Sequence, residues 1–291
     1  MTREQIRATV GRFADAAWRA REAGFDGVQL MAAVGYLLSS FLTPRTNRRC
    51  DEYGGSARNR LRLPVEVVRA IRARVGADFP LLVRLNGTDA LPGRGGLRTP
   101  QLVAVARALQ DEGVDAIELT AGHYESGLMM ARGRFDQFFA GSIACGRLTR
   151  GLSRPRRVAG QLAAPAMAAV ANRLWSPREG FLLRYARAFT EALRIPVVCV
   201  GGFQTRTAME EAIREGACDA VSVGRAMVAD PLLYRHLREG EQGPRCSFCS
   251  ACMARVGYLP LDCYEPAVRA DRDALLERAA SATAATAEAA L

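Results

Sequence analysis

Residues 196–202 read PVVCVGG, and residues 219–225 read DAVSVGR. Each is a short apolar run that ends at a glycine and follows a segment with helical spacing, 178–194 and 206–215 respectively. Short apolar runs bounded by glycine or proline are typical of buried strands, and strands that alternate with helices form βαβ units. The two segments therefore predict neighbouring strands of a parallel sheet.

The same alternation covers much of the chain. Helical patterns are found at 4–23, 62–75, 99–112 and 231–239, and further strands are predicted at 25–31, 79–85 and 114–119. Five strands with helices between them indicate an α/β fold with a parallel sheet. Two segments interrupt the rhythm. The weakly periodic insertion 123–177 is expected to be a functional cap or a partly ordered excursion, and the alanine-rich tail 267–291 a loose terminal helix or frayed chain.

Composition restricts the classes of partner. The chain has 40 arginines, no lysine and 30 acidic residues, for a net charge of +10, but the arginines are scattered through the predicted helices. A nucleic-acid partner is therefore not expected. No apolar run approaches the roughly 20 residues of a membrane span, and the first residues lack the apolar core of a signal peptide. These features predict a cytoplasmic protein with no membrane association.

Glycine and arginine follow the last two predicted strands. Gly201-Gly202 and Gly224-Arg225 stand where the strands end. Glycine lets backbone N–H groups approach a phosphate, a following helix N-terminus is electropositive, and arginine adds a bidentate contact. In (β/α)8 barrels the loops after the last two strands are the usual phosphate site. This pair of strand ends favours a phosphate-bearing ligand over two tight turns.

Arginine and cysteine residues supply further candidates. Arg84 lies inside an apolar strand, where an unpaired charge is costly, so it is expected to face a ligand or a carboxylate. Cys246, Cys249, Cys252 and Cys263 occupy 18 residues in a C-x2-C-x2-C-x10-C pattern. In an intracellular protein this density fits a [4Fe-4S] cluster or an all-cysteine zinc site, and a relict thiol cluster without metal is the third alternative.

One stretch makes a family resemblance specific. Residues 23–60, which include QLMAAVGYLLSSFLTPRTNRRCDEYGGSARNR, closely resemble the old yellow enzyme family, in particular its NADH:flavin oxidoreductase branch. The resemblance continues through VRLN, PVVCVGGF, DAVSVGRAMVADP and the cysteine cluster, over about residues 4 to 266. It implies an FMN-binding (β/α)8 TIM barrel, of which this chain would contain about five βα units, strands 4 to 8.

The resemblance assigns roles to individual residues. Arg84 matches the arginine that stabilises negative charge at the N1/O2 edge of reduced flavin, and Gly201, Gly202, Gly224 and Arg225 match the FMN phosphate site. Tyr36 matches the tyrosine that delivers a proton to the substrate carbon. His123 is placed where one branch has a protonating histidine. Packing tyrosine and exposed loop histidine are the alternatives for Tyr36 and His123.

Two departures from the family pattern affect the expected chemistry. Family members have polar residues that bind the substrate carbonyl where this chain has Met31 and Val34, so the pocket is expected to be less polar. On this resemblance the chain would begin after the family's first three βα units, so we expect a fragment, a chain whose missing half is supplied by another chain, or a degraded relative that no longer catalyses. The expected partners are such a separate chain and further copies of this chain in a homo-oligomer.

The expected organisation is a partial barrel at 1–240 with the insertion at 123–177, a cysteine-rich segment at 241–266 and the tail at 267–291. The expected function is transfer of hydride from NADH or NADPH through FMN to a small-molecule substrate with an activated C=C bond, with a [4Fe-4S] cluster as a further cofactor. The alternatives are a non-catalytic, partner-dependent half-barrel and a metal-binding relict without flavin.

Overall fold

The computed structural model describes residues 1–91, 93, 95–126, 132–240 and 243–289, with the backbone alone for 282–289. Parts of three predicted segments lie outside these residues: 127–131 of the insertion, 241–242 of the cysteine-rich segment and 290–291 of the tail. The chain divides into two units. The first contains Met1–Met130, Gly180–Gly201 and Glu210–Ser222, and the second contains Ala131–Glu179, Gly202–Met209 and Val223–Leu291.

The first unit is built on a parallel sheet. Its strands, in the order β1-β2-β3-β4-β5 across the sheet, are β1 (Val28–Ala32), β2 (Leu81–Asn86), β3 (Ala116–Thr120), β4 (Val197–Val200) and β5 (Ala220–Ser222). All five predicted strands are confirmed, although the first three begin two or three residues later than expected. Phe25, at the predicted start of β1, is 65% exposed, so the apolar run reaches beyond the part that pairs with β2.

Helices connect and flank the strands. They are α1 (Arg3–Glu22), α2 (Leu37–Leu42), α3 (Ala57–Val75), α4 (Thr99–Asp111), α5 (Asp136–Ala144), α6 (Arg154–Leu174), α7 (Leu183–Thr190), α8 (Arg206–Arg214), α9 (Arg225–Ala229), α10 (Leu233–Glu239), α11 (Ala251–Arg255) and α12 (Pro266–Ala289), with a short 3-10 helix at Tyr124–Ser126. The start of α1 follows from its sequence, because Thr2 and Gln5 form a capping box.

The two faces of the sheet have different environments. On one face, Leu30, Val83, Ile117 and Val197 are in register and fully buried, since the helices pack there. The opposite row runs through Met31, Arg84, Glu118, Val198 and Ala220, and of these only Glu118 is buried. In a closed barrel this second face lines the interior. It is the face on which the candidate site residues of the strands lie.

The insertion 123–177 contains regular helices, and its expected role as a functional cap stays a prediction. Within its described residues, 123–177 is dominated by α5 and α6, although the sequence shows only weak periodicity. Alanine and larger apolar residues of α6 lie on several sides of the helix, and the side chains of Leu162 and Val170 are 78% and 59% exposed. No single apolar stripe therefore marks the helix in the sequence. The tail forms α12, and no helix in the described ranges is long and apolar enough to cross a membrane.

Candidate functional site

Arg84 and Glu118 lie side by side on neighbouring strands of the first unit. They are register partners of β2 and β3, and the Arg84 Nη1 atom is 3.6 Å from Glu118 Oε2. Gln29 on β1 donates a 2.7 Å hydrogen bond to the same carboxylate oxygen. The sequence predicts that Arg84 faces a ligand or a carboxylate, and the structure places a carboxylate beside it.

The ion pair with Glu118 does not satisfy the hydrogen-bond donors of the Arg84 guanidinium. The separation of 3.6 Å makes an ion pair but not a hydrogen bond. The Nε atom of Arg84 is buried and has no hydrogen-bond partner within the described residues. A buried donor without a partner is costly unless a ligand accepts from it. Arg84 therefore fits the role of holding an anionic edge of a flavin ring.

Asn86, at the end of β2, ties together the loops that follow β1 and β3. Its amide nitrogen donates to Asp89 Oδ1 and to the Gly122 carbonyl, and its Oδ1 accepts from the Val34 backbone at 3.2 Å. Asp89 also accepts from Thr43 Oγ1 at 2.7 Å. Because Asn86 and Asp89 are each 1% exposed, these bonds fix the strand-end loops from inside.

His123 is buried, which excludes the alternative of an exposed loop residue. It is 0% exposed, and neither ring nitrogen has a hydrogen-bond partner among the described residues. Its ring lies over Gly35, where a Cβ would be 3.0 Å from His123 Nε2 and would collide with the Tyr124 ring. Gly35 also has a φ of 85°, so both sterics and backbone require glycine. An unsatisfied buried imidazole is a candidate for contact with a ligand.

Tyr36 directly follows Gly35 and begins α2 as its N-cap. The side chain is 62% exposed, so it is not a packing tyrosine in the first unit. An ion pair joins the loop after α2 to the 3-10 helix that follows His123, with Arg45 Nε 3.1 Å from Glu125 Oε1. Tyr36 and His123 thus lie on adjoining loops at the carboxyl end of the sheet, where α/β folds place their chemistry.

Val34 occupies an unusual backbone conformation. Its φ is 63°, in the left-handed region that β-branched residues rarely adopt. Met31 is 37% exposed on the sheet face that carries Arg84. The two positions thus hold an exposed thioether and a valine in a left-handed backbone conformation, and the less polar pocket stays a prediction.

The expected phosphate-binding residues are divided between the units. Gly201 closes the first unit after β4, and a Cβ there would lie 3.3 Å from the Phe181 backbone nitrogen. Gly202, with a φ of 75°, and Gly224 belong to the second unit, and a Cβ at Gly224 would meet open space. Gly224 is exposed whereas Gly201 is buried, and the phosphate role of the three glycines stays a prediction.

Arg225 lies against the cysteine-rich segment of the second unit. Its Nη2 donates to the Arg132 carbonyl at 2.7 Å, its Nη1 to Ser250 Oγ at 3.3 Å, and its guanidinium lies 5.1 Å from the centre of the Phe248 ring. Burial lowers the pKa of Arg225, and nearby cysteine thiolates oppose that shift. The sequence does not predict these contacts, and the phosphate role of Arg225 also stays a prediction.

The four clustered cysteines of the second unit are neighbours without forming a cage. Burial raises the pKa of the Cys246, Cys252 and Cys263 thiols, and the Arg225 charge lowers that of Cys246 and Cys252 in part. Within the described ranges, no three cysteine, histidine or carboxylate side chains converge closely enough to hold a metal ion. The donor chemistry suits a cluster or zinc, but the thiol positions do not fit one. Cys199 and Cys218 are buried.

Comparison with known proteins decides the family. The profile of the NADH:flavin oxidoreductase / NADH oxidase family matches residues 1–169. The chain belongs to this family. The NADH oxidase of Thermoanaerobacter brockii is 31% identical over 253 residues, which are 86% of this chain and 32% of the relative. The chain thus spans about a third of the length of this NADH:flavin oxidoreductase relative.

Solved structures of related proteins share the fold. A 2-naphthoyl-CoA reductase in complex with 2-naphthoyl-CoA superposes with a TM-score of 0.67 at 27% identity, over 87% of this chain and 32% of the other. The old yellow enzyme homologue from Zymomonas mobilis gives 0.60 at 23% identity, over 94% and 60%. Together with the five parallel strands, these similarities confirm a partial TIM barrel within the NADH:flavin oxidoreductase family.

Three residues at the carboxyl end of the first unit's sheet were not singled out from sequence. Glu118 looks like one more position of the β3 run, and Asn86 and Asp89 look like ordinary turn residues. Their burial is the feature that distinguishes them, at 5% exposure or less. A charged residue at the centre of an apolar strand, as at Arg84, is the one sequence signal that could have identified Glu118.

Proposed function

We propose that the chain carries part of the active site of an FMN-dependent NAD(P)H oxidoreductase that reduces an activated C=C bond of enone or enoyl type. The observation that carries the proposal is Arg84, whose buried Nε lacks a partner on the sheet face that lines a barrel. Membership of the NADH:flavin oxidoreductase family supports the same assignment. FMN, when bound, supplies the hydride transfer from nicotinamide to substrate.

The protein's own residues have distinct tasks in this proposal. Arg84 donates to the N1/O2 edge of the flavin and stabilises negative charge there. The exposed phenol of Tyr36 donates a proton to the substrate carbon opposite the one that receives hydride, and solvent replaces that proton. His123, a buried imidazole whose nitrogens have no hydrogen-bond partner among the described residues, assists protonation in this proposal. Gly201, Gly202, Gly224 and Arg225 bind the FMN phosphate.

The substrate in this proposal is apolar beside its activating group. Met31 and Val34 offer thioether and methyl surface where the family has hydrogen-bond donors to the substrate carbonyl, so polarisation of the substrate relies on His123 in this proposal. One structural relative is named 2-naphthoyl-CoA reductase and is complexed with a conjugated acyl thioester. A conjugated acyl substrate therefore suits this site better than a simple polar enone.

We further propose that Cys246, Cys249, Cys252 and Cys263 ligate a [4Fe-4S] cluster, with zinc as the alternative metal. The support is the four-thiol pattern of the sequence alone, since the thiols do not converge on a metal site within the described residues. Iron, sulfide and zinc counts of anaerobically purified protein test this, and protein free of all three contradicts it.

A second candidate function is that of a partner-dependent half-barrel without activity of its own. The exposed Met31 and the half-buried Arg84, Val198 and Ala220 favour it, because this sheet face is covered in a closed barrel. A second copy of the chain or a separate chain would then cover the face. Flavin binding that requires an added amino-terminal half-barrel distinguishes this candidate from the first.

The visible absorption spectrum of anaerobically purified protein, with released flavin quantified, tests the proposed function. Bound flavin that NADH or NADPH bleaches supports it, and protein that remains colourless after incubation with FMN contradicts it. Arg84→Ala should slow flavin reduction by about 10²-fold, as for loss of a charge-stabilising donor. Arg187→Ala, which removes an exposed partner of Glu215 in the same unit, is the matched control.

The proton-transfer role of Tyr36 is tested by separating the two half-reactions. Tyr36→Phe should leave reduction of flavin by NAD(P)H unchanged and slow substrate reduction by about 10²-fold or more. Tyr124→Phe, at a phenol that is 63% exposed on the adjoining loop, is the matched control. Equal slowing of both half-reactions in Tyr36→Phe would contradict the assignment.

A further inference from the structure

The carboxylate of Glu118 is buried beside the one residue proposed to hold flavin charge. Glu118 is 5% exposed, its Oε2 lies 3.6 Å from Arg84 Nη1, and Gln29 Nε2 donates to the same oxygen at 2.7 Å. A buried carboxylate is unfavourable unless it is paired and hydrogen-bonded. Here both requirements are met from the neighbouring strands, so the negative charge is held in place.

Stability alone is a weak reason for this arrangement. Well-packed apolar residues can replace a buried ion pair with no loss of stability or with a gain. The row that contains Arg84 and Glu118 is otherwise apolar, with Met31, Val198 and Ala220 as the register partners. The pair is also incomplete, because the Arg84 Nε has no partner among the residues that the structure describes. A carboxylate that pairs only partly with Arg84 leaves guanidinium donors free to bind a ligand. The same carboxylate lowers the net positive charge of the site.

We propose that Glu118 is a positioning residue that sets the reduction potential of the flavin through Arg84. The inference rests on the proposed function, since it requires FMN at Arg84. When NAD(P)H is oxidised to NAD(P)+, its hydride brings two electrons and one proton to the flavin, which gains one negative charge at the N1/O2 edge. Arg84 stabilises that charge, and Glu118 weakens this stabilisation because it pairs with the same guanidinium, so the carboxylate lowers the potential and makes the reduced flavin a stronger reductant.

Gln29 gives this arrangement its orientation. Its amide donor holds the Glu118 oxygen on the β1 side, while Arg84 approaches from β2. The carboxylate is therefore restrained from turning to form a short bidentate pair with the guanidinium. The Arg84 side chain is half-buried, and its buried Nε has no hydrogen-bond partner among the described residues.

Equilibration of the full-length, FMN-loaded protein with a redox dye measures the effect. Glu118→Gln should favour reduced over oxidised flavin by about tenfold, which is a rise of about 30 mV for a two-electron couple. Arg84→Gln should shift the potential in the opposite direction, and Glu118→Gln should have little further effect in the Arg84→Gln background. Glu112→Gln is the matched control, because it removes an equal charge at the carboxyl end of α4, where Glu112 pairs with the exposed Arg69 of α3.

The outcomes separate this inference from the function on which it rests. A purely structural role for Glu118 predicts a lower free energy of unfolding with an unchanged potential, and that result overturns the inference while leaving the proposed function intact. Wild-type protein that binds no flavin overturns both. If Glu118→Gln does not fold, Glu118→Asp retains the charge at a greater distance and should raise the potential by a smaller amount, and an unchanged or lower value contradicts the inference.

Discussion

The backbone N–H of Val34 donates to Asn86 Oδ1 at 3.2 Å while Val34 holds a φ of 63°. The hydrogen bond joins the loop after β1 to the end of β2, and its geometry depends on a left-handed conformation that valine disfavours by about 1–2 kcal/mol. The site therefore stores backbone strain next to the glycine on which His123 packs.

Relief of that strain should stabilise the protein. Val34→Asn is expected to raise the free energy of unfolding by about 1 kcal/mol, because asparagine tolerates the left-handed region. Denaturant unfolding monitored by circular dichroism measures it. Val256→Asn, at an exposed valine with a φ of −52°, should give no gain. A loss of stability in Val34→Asn would show that packing of the valine outweighs its backbone strain.

Asn86 should be the most sensitive of the strand-end residues. Asn86→Ala removes bonds to Val34, Asp89 and Gly122 and leaves buried polar groups unpaired, so a loss of about 2–4 kcal/mol is expected. The same substitution at Asn59, whose side-chain amide makes one 3.4 Å bond, should cost less than about 1 kcal/mol. Equal losses at the two positions would contradict the central role of Asn86.

The two histidines should respond oppositely to one substitution. His123→Leu removes an imidazole without a hydrogen-bond partner in the described part of the chain, so the free energy of unfolding should be unchanged or higher, while substrate reduction slows by about 10²-fold. His236→Leu breaks a buried 2.7 Å bond to Asp230 and should cost about 1–3 kcal/mol. Thermal unfolding and stopped-flow kinetics measure these effects. A marked loss of stability in His123→Leu would indicate a packing role.

The Arg49–Asp51 pair should shape the acid limb of stability. The hydrogen bond from Arg49 lowers the pKa of Asp51 to about 2, below its usual 3.8. A lowered folded-state pKa contributes stability above about pH 4 that is lost as the pH falls toward 2. Arg49→Ala should therefore flatten this limb and, because both side chains are partly exposed, cost less than about 1 kcal/mol at neutral pH. Asp51→Asn should flatten it similarly, and a steep limb in both variants would refute the assignment.

The periodicity of the sequence was sufficient to predict the five strands of the sheet. The five strands and the helices between them have local sequence patterns. A helix buried on one side has apolar residues at a regular spacing, and a strand buried on both sides is a continuous apolar run. Arg84 could also be identified as a site residue, because a charge inside an apolar strand is conspicuous in the sequence. The helices of the insertion 123–177 could not be predicted from the sequence, because α6 is apolar on several sides and lacks a single apolar stripe.

Register and loop packing were decided by the tertiary structure alone. Arg84 and Glu118 are 34 positions apart in the chain and meet because β2 and β3 pair in parallel with those residues opposite each other. The burial of His123 over Gly35, and the bonds of Asn86 to two loops, likewise depend on how separate segments pack. The sequence by itself determined which segments form strands and which side chains carry charge. Which charges lie close enough to act on one another is a property of the folded chain, because electrostatic energy depends on distance and burial.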